Sequence, residues 1–185
     1  YLPELYRMVL RQSSEFLKET LNEQQRKNMK RSRPKILLAT NLDDAMAMYE
    51  KYKSNLLGVI SDVGFCEHRG GKPEEEKLDA GLNLVRHIKA DDPKMPILLQ
   101  SSQDSICPVA EELGVGFLRK YSKTLMIQLY DYIKEEFAFG DFIFRDADRV
   151  EYGRAANLKE LEVLMREIPE DILLANTSKN MLSKW

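Results

Sequence analysis

Cysteine is scarce in this sequence, with two residues among 185, Cys66 and Cys107. They form neither a CxxC pair nor a metal-binding spacing, which argues against a disulfide framework and against a cysteine metal site. We interpret them as incidental thiols in a reducing compartment, and this interpretation favours a cytoplasmic location.

Long apolar runs and an excess of charge are also missing. No run approaches the roughly 20 apolar residues that a membrane-spanning helix needs. Basic and acidic residues number 28 and 30, so the formal net charge is −2. We therefore expect neither nucleic acid nor a membrane among the partners. The hydrophobic and charged fractions, 43% and 31%, are those of a globular chain.

Motifs of common active sites are absent as well. Gly70 and Gly71 precede Lys72, but no GxxxxGK[ST] frame surrounds them, so a phosphate-binding loop is not indicated. His68 and His87 are separate in the sequence, and no Ser/His/Asp arrangement can be argued from spacing alone. We therefore predict that these residues are not an enzyme by themselves.

Four short apolar runs are present, and polar residues follow each of them. Such runs are typical of strands buried on both faces, and helix-like segments alternate with them. The alternation predicts a parallel sheet with right-handed crossovers, whose carboxyl edge gathers the polar residues. The runs are Lys35–Ala39, Leu57–Ser61, Met95–Gln100 and Gly116–Leu118, and the residues that follow include Thr40, Asn41, Asp62, Ser101 and Lys120.

The pattern divides the chain into three parts. Residues 1–33 predict a long connector helix, residues 34–136 carry the strand–helix alternation, and residues 137–185 predict a small hairpin with two short helices. The chain opens on Tyr1 and ends on Trp185 within helix-like sequence, from which we expect a fragment of a larger protein. The last part would then be a bridge to a downstream domain.

The first helix has apolar residues at helical spacing, Leu5, Met8, Leu17 and Leu21. A linker helix is the simpler interpretation. A dimer or interdomain seam formed by these four residues is the alternative.

The order of strand ends over roughly residues 33–136 resembles the receiver domain of two-component response regulators. In that family a strand-end Asp accepts a phosphoryl group, a Ser or Thr and a Lys contact it, and an acidic pair helps to hold Mg²⁺. The resemblance implies that Asp62 is the phospho-acceptor, that Ser101 and Lys120 contact the phosphate, and that Phe117 lies near the aromatic switch position. It also implies a flavodoxin-like, doubly wound parallel sheet of about five strands.

The sequence departs from that family at the acidic pair. Thr40 and Asn41 follow the first run, where the family has two acids, and Asp43 and Asp44 lie in the next helix, where they are poorly placed to substitute. A hard cation needs several oxygen ligands, so Asp62 is left to hold a metal nearly alone. We therefore expect no cofactor, or weakly held Mg²⁺, and a degenerate receiver. A functional phospho-acceptor at Asp62 is the alternative.

A second resemblance covers nearly the whole chain. The segments YLPELYRMVL, RPKILLAT, PILLQSS and FGDFIFR are similar to the regulatory region of bacterial phosphoenolpyruvate synthase / pyruvate phosphate dikinase-like proteins. This implies a regulatory signalling module of a larger phosphotransferase-type protein. Its partners would be a second receiver-like domain and the downstream catalytic domain of the parent chain. A dimerisation or spacer scaffold, with a homodimer formed through the N-terminal helix, is the remaining hypothesis.

Overall fold

The computed structural model describes residues 2–15, 35–137, 141–156, 158–178 and 182. These residues belong to two compact units, Tyr1–Leu38 and Ala39–Trp185. No helix within the described ranges is both long and apolar enough to cross a membrane.

The helices and strands have the following bounds. The helices are α1 Leu2–Glu15, α2 Leu42–Tyr52, α3 Ala80–Asp91, α4 Ile106–Glu112, α5 Leu125–Glu136, α6 Leu158–Glu167 and α7 Glu170–Thr177. The strands are β1 Val59–Asp62, β2 Phe65–Cys66, β3 Glu76–Lys77, β4 Ile97–Ser101, β5 Gly116–Arg119, β6 Phe142–Arg145 and β7 Glu151–Ala155.

The N-terminal unit contains α1. Leu5 and Val9 lie one turn apart on this helix and are buried. The first half of the predicted connector helix is therefore helical. Its second half, with Leu17 and Leu21, lies outside the described residues.

The first apolar run requires a correction, because Lys35–Ala39 has no regular secondary structure. Leu37 and Leu38 are 43% and 58% exposed. An apolar segment becomes a strand only where a neighbouring strand supplies hydrogen bonds, and none of the described strands pairs with this one. The main sheet of the described residues accordingly has three strands, whereas the receiver resemblance implies about five.

The three-stranded sheet is parallel and has the order β1-β4-β5. Val59 lies opposite Ile97, and Leu98 lies opposite Gly116. All five residues of β4 are buried, which agrees with its central position. The predicted α/β fold with a parallel sheet is confirmed at this level, and the three strands begin and end close to the predicted positions.

Helices cover both faces of this sheet. Ile97 and Leu99 pack into the main core with residues of α2, α3 and α4. Leu98 alternates to the opposite face, where it and the Tyr132 ring of α5 crowd Gly116. The Tyr132 hydroxyl donates a hydrogen bond of 2.7 Å to the Ile97 carbonyl, which fixes α5 on that face.

The C-terminal residues form a smaller layer with its own core. β6 and β7 are antiparallel, and the core consists of Phe142, Phe144, Ala155, Leu161 and Ile168. The predicted hairpin is therefore present, and helices follow it from Leu158 onward. Trp185 lies outside the described residues.

Candidate functional site

The carboxyl edge of the parallel sheet brings three of the predicted residues to neighbouring strand ends. Asp62 is the last residue of β1, Ser101 is the last residue of β4, and Lys120 directly follows β5. The register pairs Asp62 with Gln100 and Ser101 with Arg119, so the three ends lie level with one another. In open α/β sheets this edge is the usual position of ligand sites.

Asp62 and Lys120 form an ion pair. The distance from Lys120 Nζ to Asp62 Oδ1 is 3.0 Å. The Lys120 side chain is 31% exposed and the Asp62 side chain is 49% exposed. A pair with this exposure stabilises a fold by only about 0–1 kcal/mol. Because both side chains are partly exposed, a ligand can reach the two charges, and separating the pair would cost the fold little stability.

The position of Lys120 is set by the backbone of β4. Its amide donates a hydrogen bond of 2.8 Å to the Ser101 carbonyl, which continues the β4–β5 ladder past the last strand residue. The ladder thus holds the lysine at the sheet edge, and only the side chain beyond it needs to be ordered by Asp62.

Ser101 is buried, with 7% of its surface exposed. Its hydroxyl oxygen accepts a hydrogen bond of 3.1 Å from the Gln103 amide. The serine therefore stabilises the turn after β4. Since a hydroxyl can donate and accept at once, the Ser101 hydroxyl can still donate a hydrogen bond to a second partner.

Two aromatic residues lie in β5 or close to its end. Phe117 is half-buried in β5 and packs against the main core. Tyr121, directly after Lys120, is 90% exposed and has a φ of 64°. The large aromatic side chain nearest to the ion pair in sequence is thus Tyr121.

Of the two residues in place of the acidic pair, Asn41 caps a helix. Asn41 is 2% exposed and is the N-cap of α2, where its side-chain oxygen accepts a hydrogen bond of 2.8 Å from the Asp44 amide. Thr40 is exposed. Asp44 binds Arg69, and this contact, with a further hydrogen bond from Asn41, holds the pKa of the Asp44 carboxyl below its usual range.

A Mg²⁺ site built from several carboxylates does not fit the described residues. Among them, no group of three or more His, Cys, Asp or Glu side chains has the arrangement of a metal site. Asp62 faces the cation of Lys120, and Asp43 and Asp44 face His68 and Arg69. A hard cation would therefore find one carboxylate here rather than the set it prefers.

Sequence reasoning missed the role of Gly81 in shaping this site. The glycine lies in the first turn of α3, and its amide donates a hydrogen bond of 2.8 Å to the Val63 carbonyl. A Cβ at this position would overlap the Asp62 carbonyl and lie 2.9 Å from Val63 Cα. A glycine just inside a predicted helix, where it weakens the helix, was the available signal.

The segment of residues 63–79 contains regular secondary structure. Short strands β2 and β3 pair in antiparallel fashion, and Glu67 and Lys77 form an ion pair of 2.7 Å across them. Two-residue strands carry no periodicity, so pattern analysis had no means of finding them.

Comparison of the chain with protein-family models, curated proteins and solved structures finds no significant match. The geometry at the sheet edge therefore carries the functional inference.

Proposed function

We propose that residues 34–136 form a receiver-like regulatory module that is degenerate in Mg²⁺-dependent phosphorylation. The observation that carries this proposal is the Asp62–Lys120 pair, 3.0 Å long, at the carboxyl edge of a parallel sheet. Ser101 ends the strand between them and supplies a hydroxyl at the same level. A carboxylate, an ammonium and a hydroxyl at one edge are the groups that a phosphorylated aspartate and its contacts require.

The degenerate character follows from the missing carboxylates. Transfer of a phosphoryl group concentrates negative charge, and a divalent cation normally neutralises it. The described residues around Asp62 offer Lys120 instead of further acids. In this proposal the lysine is a permanent counter-ion to Asp62, and the edge recognises a partner domain without a phosphorylation step.

The proposal includes a fuller sheet of the flavodoxin-like type. β1 pairs only with β4 among the described strands, so its other edge is open. Lys35–Ala39 has strand composition and precedes α2, which precedes β1, as in a βαβ unit. Lys35–Ala39 is not a strand in this structure, and we propose that in the complete regulatory region it pairs at this open edge and extends the sheet toward the doubly wound form of about five strands.

The biological setting in this proposal rests on resemblance. The module would belong to the regulatory region of a phosphoenolpyruvate synthase / pyruvate phosphate dikinase-like protein in the cytoplasm. Its partners would be a second receiver-like domain and the downstream catalytic domain of that chain. Signalling would then pass by domain contact, and these residues would not themselves be an enzyme.

The test is amide NMR of the chain in millimolar Mg²⁺ with beryllofluoride, an analogue of the phosphoryl group. The degenerate module predicts no saturable shifts clustered at Asp62, Ser101 and Lys120. Clustered shifts that vanish in Asp62→Asn would instead establish the functional phospho-acceptor. Asp104→Asn is the matched control, because Asp104 is an exposed acid at the same edge that pairs with Arg119 at 3.3 Å.

The domain-contact part of the proposal needs the longer parent chain. Hydrogen exchange is compared between that chain and its Lys120→Met variant, which keeps the side-chain length but removes the charge. A contact at the carboxyl edge predicts slower amide exchange there in the parent chain than in the 185-residue chain. Lys120→Met in the parent chain should raise that exchange rate again. Equal exchange at this edge in all three proteins contradicts it.

A further inference from the structure

The segment that follows Asp62 is fixed at both of its ends. The Val63 carbonyl accepts a hydrogen bond from the Gly81 amide. In the ribbon formed by β2 and β3, Phe65 pairs with Lys77 and Cys66 pairs with Glu76. Between these anchors, the tip of the ribbon is attached to α2 by a small set of polar contacts. Any opening of the segment therefore has to break those contacts first.

We call this set of contacts the clasp, formed by His68 and Arg69 of the ribbon with Asp43 and Asp44 of α2. His68 Nδ1 lies 2.7 Å from Asp43 Oδ2. Arg69 donates through Nη2 and Nε to the two carboxylate oxygens of Asp44, at 2.9 and 3.3 Å. One backbone bond of 3.0 Å joins the Asp43 amide to the Glu67 carbonyl.

The two halves of the clasp differ in how they respond to pH. The contact with Asp44 raises the pKa of Arg69 further above its ordinary value, so this half stays charged at every physiological pH. The other half depends on an imidazole, which titrates in the neutral range. His68 and Asp43 are 76% and 63% exposed, so protons and water reach the pair freely.

We propose that the His68–Asp43 pair makes the clasp pH-dependent, holding the 63–79 segment on α2 while the imidazole is protonated and loosening it when the proton is lost. The charged groups that face His68 are Asp43 and Glu67, which favour its protonation, and Lys77, which opposes it. Arg69 is occupied by Asp44. The proposal is independent of whether Asp62 accepts phosphate.

The direction of the effect follows from linkage. The hydrogen bond to Asp43 raises the pKa of His68 above its ordinary value of 6.5. A group with a raised pKa in the closed state contributes fully below the pKa of the open state and loses its contribution as pH rises through the closed-state pKa. The segment is therefore held most firmly in weakly acidic solution.

Cys66 is a reporter built into the segment. Its thiol donates to the Lys72 carbonyl at 3.3 Å and is half-buried in the closed ribbon. The experiment measures the rate of Cys66 alkylation from about pH 5.5 to about pH 9, across the titration of an imidazole. All proteins carry Cys107→Ser, which removes the other cysteine. The rate in His68→Gln is divided by the rate in the protein with His68, so that pH effects common to the two proteins are removed.

The expected ratio is about two- to fivefold at the acidic end, the range of an exposed ion pair, and falls to about one at the basic end. Asp43→Asn should give the same curve, and the double variant should add nothing to it. Lys77→Gln is the control, because it breaks a different ion pair of the ribbon, with Glu67, and should not abolish the pH dependence.

A ratio that stays flat across the pH range would overturn the proposal. So would an Asp43→Asn variant whose curve matches the protein with intact His68 and Asp43. Circular dichroism at both pH extremes separates these results from global unfolding, which would speed alkylation at all pH values.

Discussion

Tyr121, next to the ion pair, is held in a left-handed backbone conformation. Its φ is 64°, and its ring is 90% exposed, so the conformation is not stabilised by burial of the side chain. A residue with a Cβ loses about 1–2 kcal/mol in this region. The loop after Lys120 therefore carries local strain at the edge proposed for domain contact.

Replacing Tyr121 by glycine should relieve that strain. We expect the free energy of unfolding to rise by up to about 1 kcal/mol, less the extra backbone entropy of glycine in the unfolded chain. Urea unfolding measures the change. Arg149→Gly is the matched control, since Arg149 has a φ of 65° but donates a hydrogen bond of 2.9 Å to the Gly114 carbonyl. A loss of stability in Tyr121→Gly would show that the ring makes contacts that outweigh the strain.

Gly81 offers a second test at the scale of a residue. A Cβ there meets backbone atoms of Asp62 and Val63, which cannot move aside as a side chain can. We expect Gly81→Ala to lower the free energy of unfolding by about 1–3 kcal/mol and to shift the Asp62 and Lys120 amide signals.

Gly64→Ala is the control for this substitution. A Cβ at Gly64 would have its nearest neighbour, the Lys77 carbonyl oxygen, at 3.6 Å, an ordinary contact. Thermal unfolding and amide NMR should show a much smaller change than in Gly81→Ala. Equal changes in the two variants would contradict the packing argument.

At the scale of elements, Asn176 joins α7 to the hairpin. Its side-chain oxygen accepts a hydrogen bond of 3.0 Å from the backbone amide of Arg145, and its side-chain nitrogen donates one of 2.7 Å to the Arg145 carbonyl. The side chain thus occupies the outer edge of β6 as a third strand would. It is 7% exposed, so water cannot easily replace these bonds.

Asn176→Leu should therefore remove the side-chain partner of two part-buried backbone groups of Arg145. Each unsatisfied group costs about 1–3 kcal/mol, so we expect a large loss in the free energy of unfolding and faster amide exchange in β6. The neighbouring Thr177→Ala, which removes a bond of 2.8 Å to the Leu173 carbonyl within the same helix, is the comparison. Similar losses in the two variants would argue against a special role for Asn176.

Elements also show where sequence reasoning succeeds and where it stops. The runs that became β1, β4 and β5 could be predicted because each is short, apolar and followed by polar residues. Lys35–Ala39 has the same composition, yet it is not a strand, because pairing depends on a neighbour that composition does not reveal. The Asp62–Lys120 pair was foreseeable from strand order, whereas the clasp depends on a ribbon too short to have a period.

At the scale of the whole molecule, the chain divides into two compact units, Tyr1–Leu38 and Ala39–Trp185. The main core and the C-terminal core are built from residues of the second unit. We therefore expect residues 39–185 to keep their fold when expressed alone. The measurement compares amide NMR spectra of the two chains, and we expect matching chemical shifts for β4 and β6. Loss of signal dispersion in the shorter chain would contradict the division.

The same truncation decides between a regulatory module and a dimerisation scaffold. Of the residues predicted for the scaffold seam, Leu5 is buried within the chain, whereas Met8 is half-buried and therefore still accessible to a second copy. The regulatory proposal expects sedimentation to give the same number of chains per particle with and without residues 1–38. If the longer chain is a dimer and the shorter one a monomer, α1 is the dimer contact, and the scaffold explains the N-terminal unit better. Met8→Asp in the longer chain should then reproduce the monomer, which distinguishes a specific seam from the loss of a bulky segment.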